Sequence, residues 1–107
     1  MTKEEYLNIG KKYLDLCQFN ECFYMPGHAR WFNGVYQIAK FNSQSGSARI
    51  YYSCIVDYVG EIITDMKYLD VYEPSEFEDA IKMFQKSYKE ALVKQKIMTI
   101  DKDFVND

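Results

Sequence analysis

The stretch ARIYYSCIVDY, residues 48–58, sets the fold class, because it has the pattern of an amphipathic β-strand. Successive side chains of a strand point to opposite faces, so residues at every second position share a face. We expect one set to be buried, and it consists of Ala48, Ile50, Tyr52, Cys54, Val56 and Tyr58. The other set, which runs from Arg49 to Asp57, is more polar and should face solvent or a partner.

The residues on both sides of this strand predict further antiparallel strands. Asn33-Gly34, just before the run 35–41, is a strong signal for a tight hairpin. Met25-Pro26-Gly27 predicts an earlier turn, because Pro fixes φ and Gly accepts a positive φ. A turn at residues 59–61 should return the chain into 62–71, where β-branched residues favour a strand over the helix that the apolar spacing also permits.

An amphipathic helix is expected at the start of the chain. Thr2 and Glu5 have the spacing of a capping box, which predicts that the helix begins at Lys3. Apolar residues recur at steps of three and four as far as Cys17, so we expect the helix to end near Asn20.

A second, longer helix is expected after Pro74, with Ser75 as its N-cap and Glu78 completing another capping box. Its lysines at 82, 86 and 89 lie opposite an apolar stripe that should dock on the sheet. The stripe consists of Phe77, Ala80, Ile81, Phe84, Tyr88, Ala91 and Leu92. Residues 97–107 lack such periodicity and should form a weakly packed tail.

These patterns predict an α+β fold. It comprises an N-terminal helix, an antiparallel β-meander of three to four strands, and a long C-terminal helix packed on the sheet. A chain of 107 residues with 48% apolar residues suits one core, so we expect a single domain over residues 1–107.

The cysteines and the apolar runs bear on the compartment. Three cysteines, at positions 17, 22 and 54, cannot all pair, and no leader pattern precedes them, which predicts a reduced, cytoplasmic protein. No apolar run approaches the roughly 20 residues that a membrane-spanning helix needs, so no membrane association is expected.

Charge is unevenly distributed along the chain. The net charge is −3, but residues 57–79 hold eight acids and one lysine, a local net charge of −7. We call residues 57–79 the acidic band. Nucleic-acid binding relies on clustered Lys and Arg, so this distribution argues against direct nucleic-acid binding.

Residue types that could support catalysis are sparse. His28 is the only histidine, and a zinc site built from Cys17, Cys22 and His28 would lack the paired Cys-x-x-Cys spacing. Cys22 could be a reactive thiol if His28 and Arg30 lie beside it. The five glycines form no phosphate-binding pattern. We therefore predict no catalytic residue, no metal and no cofactor.

The function that this sequence favours is protein binding without catalysis. Tyrosines supply large contact areas, and an acidic surface suits a basic partner. The residues predicted to dock are Asp57, Glu61, Asp65, Asp70, Arg49 and Tyr51. Small acidic inhibitors encoded by phages and other mobile elements have a similar composition, so an inhibitor of a nucleic-acid-binding protein, acting in the host cytoplasm, is one form of this prediction. The alternative is a small-molecule-binding or catalytic domain with a pocket near Cys22, His28 and Trp31.

Overall fold

The computed structural model describes residues 1–14, 18–21, 28–33 and 36–105, and the side chains of residues 1–14, 30 and 37–98. It confirms the α+β fold, with an N-terminal helix, antiparallel strands and a long C-terminal helix on the sheet. In chain order the elements are α1 Lys3–Tyr13, β1 Gln18–Glu21, β2 His28–Asn33, β3 Tyr36–Asn42, β4 Ser47–Tyr51, β5 Cys54–Val56, β6 Ile62–Thr64, β7 Tyr68–Val71 and α2 Pro74–Val105.

The strands of the described segments form two antiparallel sheets. Five strands pair in the order β1-β2-β3-β4-β7, one more than the upper end of the predicted range, and β5 pairs with β6 in a separate hairpin. The strand predicted over residues 48–58 is therefore interrupted at 52–53, where the chain leaves the larger sheet. The strand interpretation of residues 62–71 is confirmed, although these residues divide between β6 and β7.

The hairpin predicted at Asn33-Gly34 agrees with the antiparallel pairing of β2 and β3, in which Asn33 lies opposite Tyr36. The turn residues 34 and 35 lie outside the described residues, as does the turn predicted at 25–27.

Helix α1 begins as predicted and ends earlier. The Glu5 amide donates to Thr2 Oγ1 over 3.1 Å and the Thr2 amide donates to Glu5 Oε1 over 2.9 Å, which completes the capping box. The end predicted near Asn20 is wrong, because α1 stops at Tyr13 and residues 18–21 pair with β2 as β1. The helical spacing of apolar residues up to Cys17 did not indicate this end. Pairing of residues 18–21 with β2 is a tertiary effect, and it overrides the local periodicity.

The N-cap of helix α2 lies two residues before the predicted N-cap, Ser75. The Phe77 amide donates to Glu73 O over 3.1 Å, and Glu76 Oε1 accepts from the Glu73 amide over 3.2 Å. Glu73 is thus the N-cap, and the Ser75–Glu78 capping box is wrong. Pro74 occupies the first helical position, where its missing N–H removes no helical hydrogen bond. The backbone of α2 is helical through Val105, and the packing of the predicted tail beyond residue 98 lies outside the described side chains.

The core lies between the larger sheet and the two helices. The Tyr6 ring of α1 packs on Phe41 of β3 and Phe77 of α2, with ring centroids 5.2 and 5.1 Å apart. Ala48 and Ile50 are fully buried on the same side, as predicted. The predicted α2 stripe faces this core from Phe77 to Tyr88, while the three lysines opposite it are exposed. We call the sheet surface that carries Ala48 and Ile50 the inner face.

A β-bulge in β3 adds one residue to the core. The pairing of β2 with β3 shifts between Trp31 and Phe32, which leaves Ile38 without an opposite residue. Ile38 and its neighbour Ala39 are both fully buried. Strict alternation would send one of them to the other face, so the bulge is what allows two consecutive residues to enter the core.

Candidate functional site

The turn that connects β5 to β6 has a well-defined backbone geometry. The Asp57 amide donates to Glu61 O over 2.9 Å, and the Gly60 amide donates to Asp57 O over 3.1 Å. Gly60 has φ +89°, a conformation that favours glycine. These features match a three-residue hairpin loop in which a tight turn is followed by a left-handed glycine. We call residues 57–61 the hairpin tip.

Side chains hold the hairpin tip from two directions. Asp57 Oδ1 accepts from the amides of Val59 and Glu61 over 3.0 and 2.9 Å. A second side chain, Gln95 of α2, donates from its Nε2 to Gly60 O over 2.9 Å. The backbone of the tip is therefore fixed both by its own carboxylate and by the long helix.

The base of the same hairpin is also attached to α2. The Cys54 amide donates to Ser87 Oγ over 2.7 Å, and the Ser87 hydroxyl lies 3.4 Å from Cys54 O, to which it donates. The Asp65 amide donates to Ser53 O over 2.9 Å, which extends the pairing of the two strands past their ends. The hairpin is thus docked on α2 along its whole length.

The rigid tip presents exposed apolar side chains. Tyr58 is 93% exposed and Val59 is 53% exposed, although Tyr58 was predicted to lie on the buried face of a longer strand. That prediction is wrong because the strand ends at Val56. Tyr58 lies in the turn, where side chains no longer alternate between two faces of a sheet. A turn was predicted at residues 59–61, but it begins two residues earlier, at Asp57, whose spacing from Gly60 is that of a capped turn ending in a left-handed glycine.

The four acids predicted to dock do not share one surface. Asp57 and Glu61 lie at the hairpin tip, and Glu61 is exposed. Asp65 lies at the base of the hairpin, where its Oδ2 is 3.7 Å from Lys67 Nζ. Asp70 belongs to β7, where both of its carboxylate oxygens accept hydrogen bonds from Arg49. The structure therefore brings together only Asp57 and Glu61.

Arg49 and Tyr51 lie on the face of the sheet opposite the inner face, which we call the outer face. Arg49 Nε and Nη2 donate to Asp70 over 2.9 and 3.2 Å, and its Cζ lies 4.0 Å from the centroid of the Tyr68 ring. Tyr51 meets Tyr68 edge to face, with ring centroids 5.8 Å apart. The hydrogen bonds from Arg49 hold the pKa of Asp70 below its ordinary value, so this carboxylate stays charged at neutral pH.

The alternative function, a small-molecule-binding or catalytic pocket, relies on residues whose side chains the structure does not describe. They are Cys22, His28 and Trp31, and the side chain of Cys17 is not described either. Within the described part of the chain, no three His, Cys, Asp or Glu residues are grouped so that they could hold a metal ion. Burial raises the pKa of the Cys54 thiol to about 11, although its hydrogen bond with Ser87 opposes the shift, so this thiol is not activated as a nucleophile.

Neither described helix has a long enough apolar stretch to cross a bilayer.

Comparison of the chain with protein-family models, with curated proteins and with solved structures gives no match. Its function is therefore inferred from its own residues.

Proposed function

We propose that this chain is a non-enzymatic protein-binding module that docks through the hairpin tip on a basic surface of another protein. The observation that supports this most directly is Tyr58, an almost fully exposed aromatic side chain on a turn whose backbone is fixed. Exposed tyrosines on rigid turns are suited to binding, because Tyr buries a large area and fills a pocket with few rotatable bonds.

The rigidity of the tip matters for affinity. A flexible loop loses conformational entropy when it binds, and that loss weakens the complex. The bonds made by Asp57 and Gln95 order the tip before any partner arrives. The contact area of Tyr58 and Val59 can therefore contribute to binding with little opposing entropy.

The charges around the tip favour a basic partner. Asp57 and Glu61 flank Tyr58, so the tip itself carries two acidic side chains. Their negative charge speeds encounter with a positive surface, and the gain in rate falls as salt is added. Basic protein surfaces often bind nucleic acid. A tip that covers such a surface would block nucleic-acid binding by the partner. This is the mode of action expected of an inhibitor encoded by a phage or mobile element.

The test of this function compares Tyr58→Ala with Tyr72→Ala as immobilised baits. Tyr72 is 56% exposed and precedes α2, so its loss removes a comparable surface aromatic away from the tip. We expect a host protein that is retained by the unchanged chain and by Tyr72→Ala but lost from Tyr58→Ala, as quantified by mass spectrometry. Equal retention by both variants would contradict docking through the tip.

The kinetics of the purified pair then test the role of charge. Glu61→Lys should slow association at low salt and flatten its salt dependence, because Glu61 is exposed and its carboxylate can face the partner. Glu90→Lys, which reverses an exposed acid on α2, is the matched control. If Glu61→Lys associates as fast as the control at low salt, the acids of the tip have no part in recognition.

A further inference from the structure

The outer face carries a row of charged residues across four neighbouring strands. The register places Arg30 of β2 opposite Lys40 of β3, Lys40 opposite Arg49 of β4, and Arg49 opposite Asp70 of β7. Directly opposite residues of antiparallel strands lie on the same face, so these four positions form one line across the sheet. We call them the charged row.

This row is positive in a chain that is negative overall. It holds three cations and one acid, a net charge of +2, whereas the chain carries −3. Like charges directly opposite each other destabilise a sheet, and the row contains two such pairs, Arg30 with Lys40 and Lys40 with Arg49. An anionic partner bound along the row would relieve the repulsion between these neighbouring cations.

Within the row, Asp70 compensates mainly Arg49. Both Asp70 oxygens bind the Arg49 guanidinium, which leaves Lys40 and Arg30 without an equivalent acid in the row. The Arg30 Nε atom is buried and makes no hydrogen bond within the described part of the chain. Beside the row, Tyr51 and Tyr68 add an aromatic pair, and the Tyr68 ring is about half exposed.

We propose that the outer face binds a short, extended acidic segment of a protein partner, with its carboxylates along the charged row. Strands are about 4.8 Å apart, so the three cations span about 10 Å. Alternate side chains of an extended peptide are about 7 Å apart, and two carboxylates therefore fit that length. The tyrosine pair supplies contact area for the apolar part of the segment.

A peptide fits this surface better than a nucleic acid does. A single strand of nucleic acid is a polyanion that needs a continuous basic groove along its path. Here the basic patch is only three residues wide in a chain that is acidic overall, so most phosphates of a longer polyanion would lie beyond the cations of the row. This binding site is separate from the hairpin tip, and either can exist without the other.

Fluorescence anisotropy at low salt tests the proposal with three labelled probes. They are a ten-residue alternating Glu-Thr peptide, the matching Lys-Thr peptide, and a ten-nucleotide thymidine oligonucleotide. We expect the unchanged chain to bind the Glu-Thr peptide, to ignore the Lys-Thr peptide and to bind the oligonucleotide at least tenfold more weakly. No binding of the Glu-Thr peptide, or an oligonucleotide affinity equal to that of the peptide, would overturn the proposal.

Two variants in the charged row and one control variant on α2 locate the site. Lys40→Glu should weaken Glu-Thr binding at least tenfold, while Lys82→Glu, the same change on the exposed side of α2, should leave it within twofold. Asp70→Asn should tighten binding at least threefold, because it removes the acid of the row and releases Arg49. Misfolding could not produce this gain. Equal affinities for the two lysine variants, or weaker binding by Asp70→Asn, would refute the assignment.

Discussion

Phe84 shows how the core depends on single side chains. It is 5% exposed, and its ring is stacked on Tyr88 of the same helix with centroids 6.0 Å apart. Truncation to alanine would leave a cavity between α2 and the sheet. Phe84→Ala is therefore expected to lower the free energy of unfolding by about 3–5 kcal/mol, as measured by chemical denaturation.

The neighbouring residue provides the control for that measurement. Met83 is 46% exposed, so Met83→Ala should cost less than about 1 kcal/mol. A loss below about 1 kcal/mol for Phe84→Ala would show that the buried side of α2 is assigned incorrectly.

At the scale of the element, one hydroxyl of α2 holds the base of the β5–β6 hairpin. Ser87 accepts from the Cys54 amide and donates to its carbonyl, and both contacts are partly buried. Ser87→Ala leaves that amide without its partner, which typically costs about 1–3 kcal/mol. We expect this loss in denaturation and faster hydrogen exchange at the Cys54 amide.

A second serine of α2 provides the comparison. Ser75 is exposed in the first turn and is not the N-cap, so Ser75→Ala should change stability by less than about 0.5 kcal/mol. A loss near 1 kcal/mol would mean that Ser75 caps the helix after all.

The helices and strands also show which parts of the fold could be predicted from the sequence. The cap at Thr2 and the apolar stripe of α2 were predicted correctly, because both depend on residues close together in the chain. Strand β1 and the interruption at residues 52–53 were missed, since each depends on which strand lies alongside. Asp57 and Glu61, both predicted to dock, lie together at the hairpin tip, whereas Tyr58 was assigned to the wrong environment because the end of β5 was not recognised.

At the scale of the whole molecule, two carboxyl groups among the described residues have a lowered pKa in the folded chain. Hydrogen bonds with Thr2 lower the pKa of Glu5, and those from Arg49 lower the pKa of Asp70. Each carboxyl binds its proton less readily in the folded than in the unfolded chain. Their stabilisation is therefore complete above the unfolded pKa of about 4 and is lost as pH falls through the lower, folded pKa.

The double variant Glu5→Gln/Asp70→Asn should consequently lose stability less steeply than the unchanged chain between pH 5 and 2. Both groups are exposed, so we expect a small difference, measurable by urea denaturation across this range. Glu90→Gln, at an exposed position of α2, serves as the control. If the double variant and the control have the same slope, the two carboxyl groups do not contribute to acid sensitivity.

The join between the two sheets has a consequence for how such a protein can change over time. Strands β4 and β7 are already neighbours, and the Tyr52 amide donates to Lys67 O over 3.3 Å just beyond their last pair. The β5–β6 hairpin is thus inserted between β4 and β7. The chain leaves the larger sheet at the end of β4 and returns to it at the start of the adjacent strand β7. Substitutions at Tyr58 and Val59 would alter neither the strand register nor the core. Partner choice could therefore evolve, or be redesigned, by exchanging the hairpin tip on a constant scaffold.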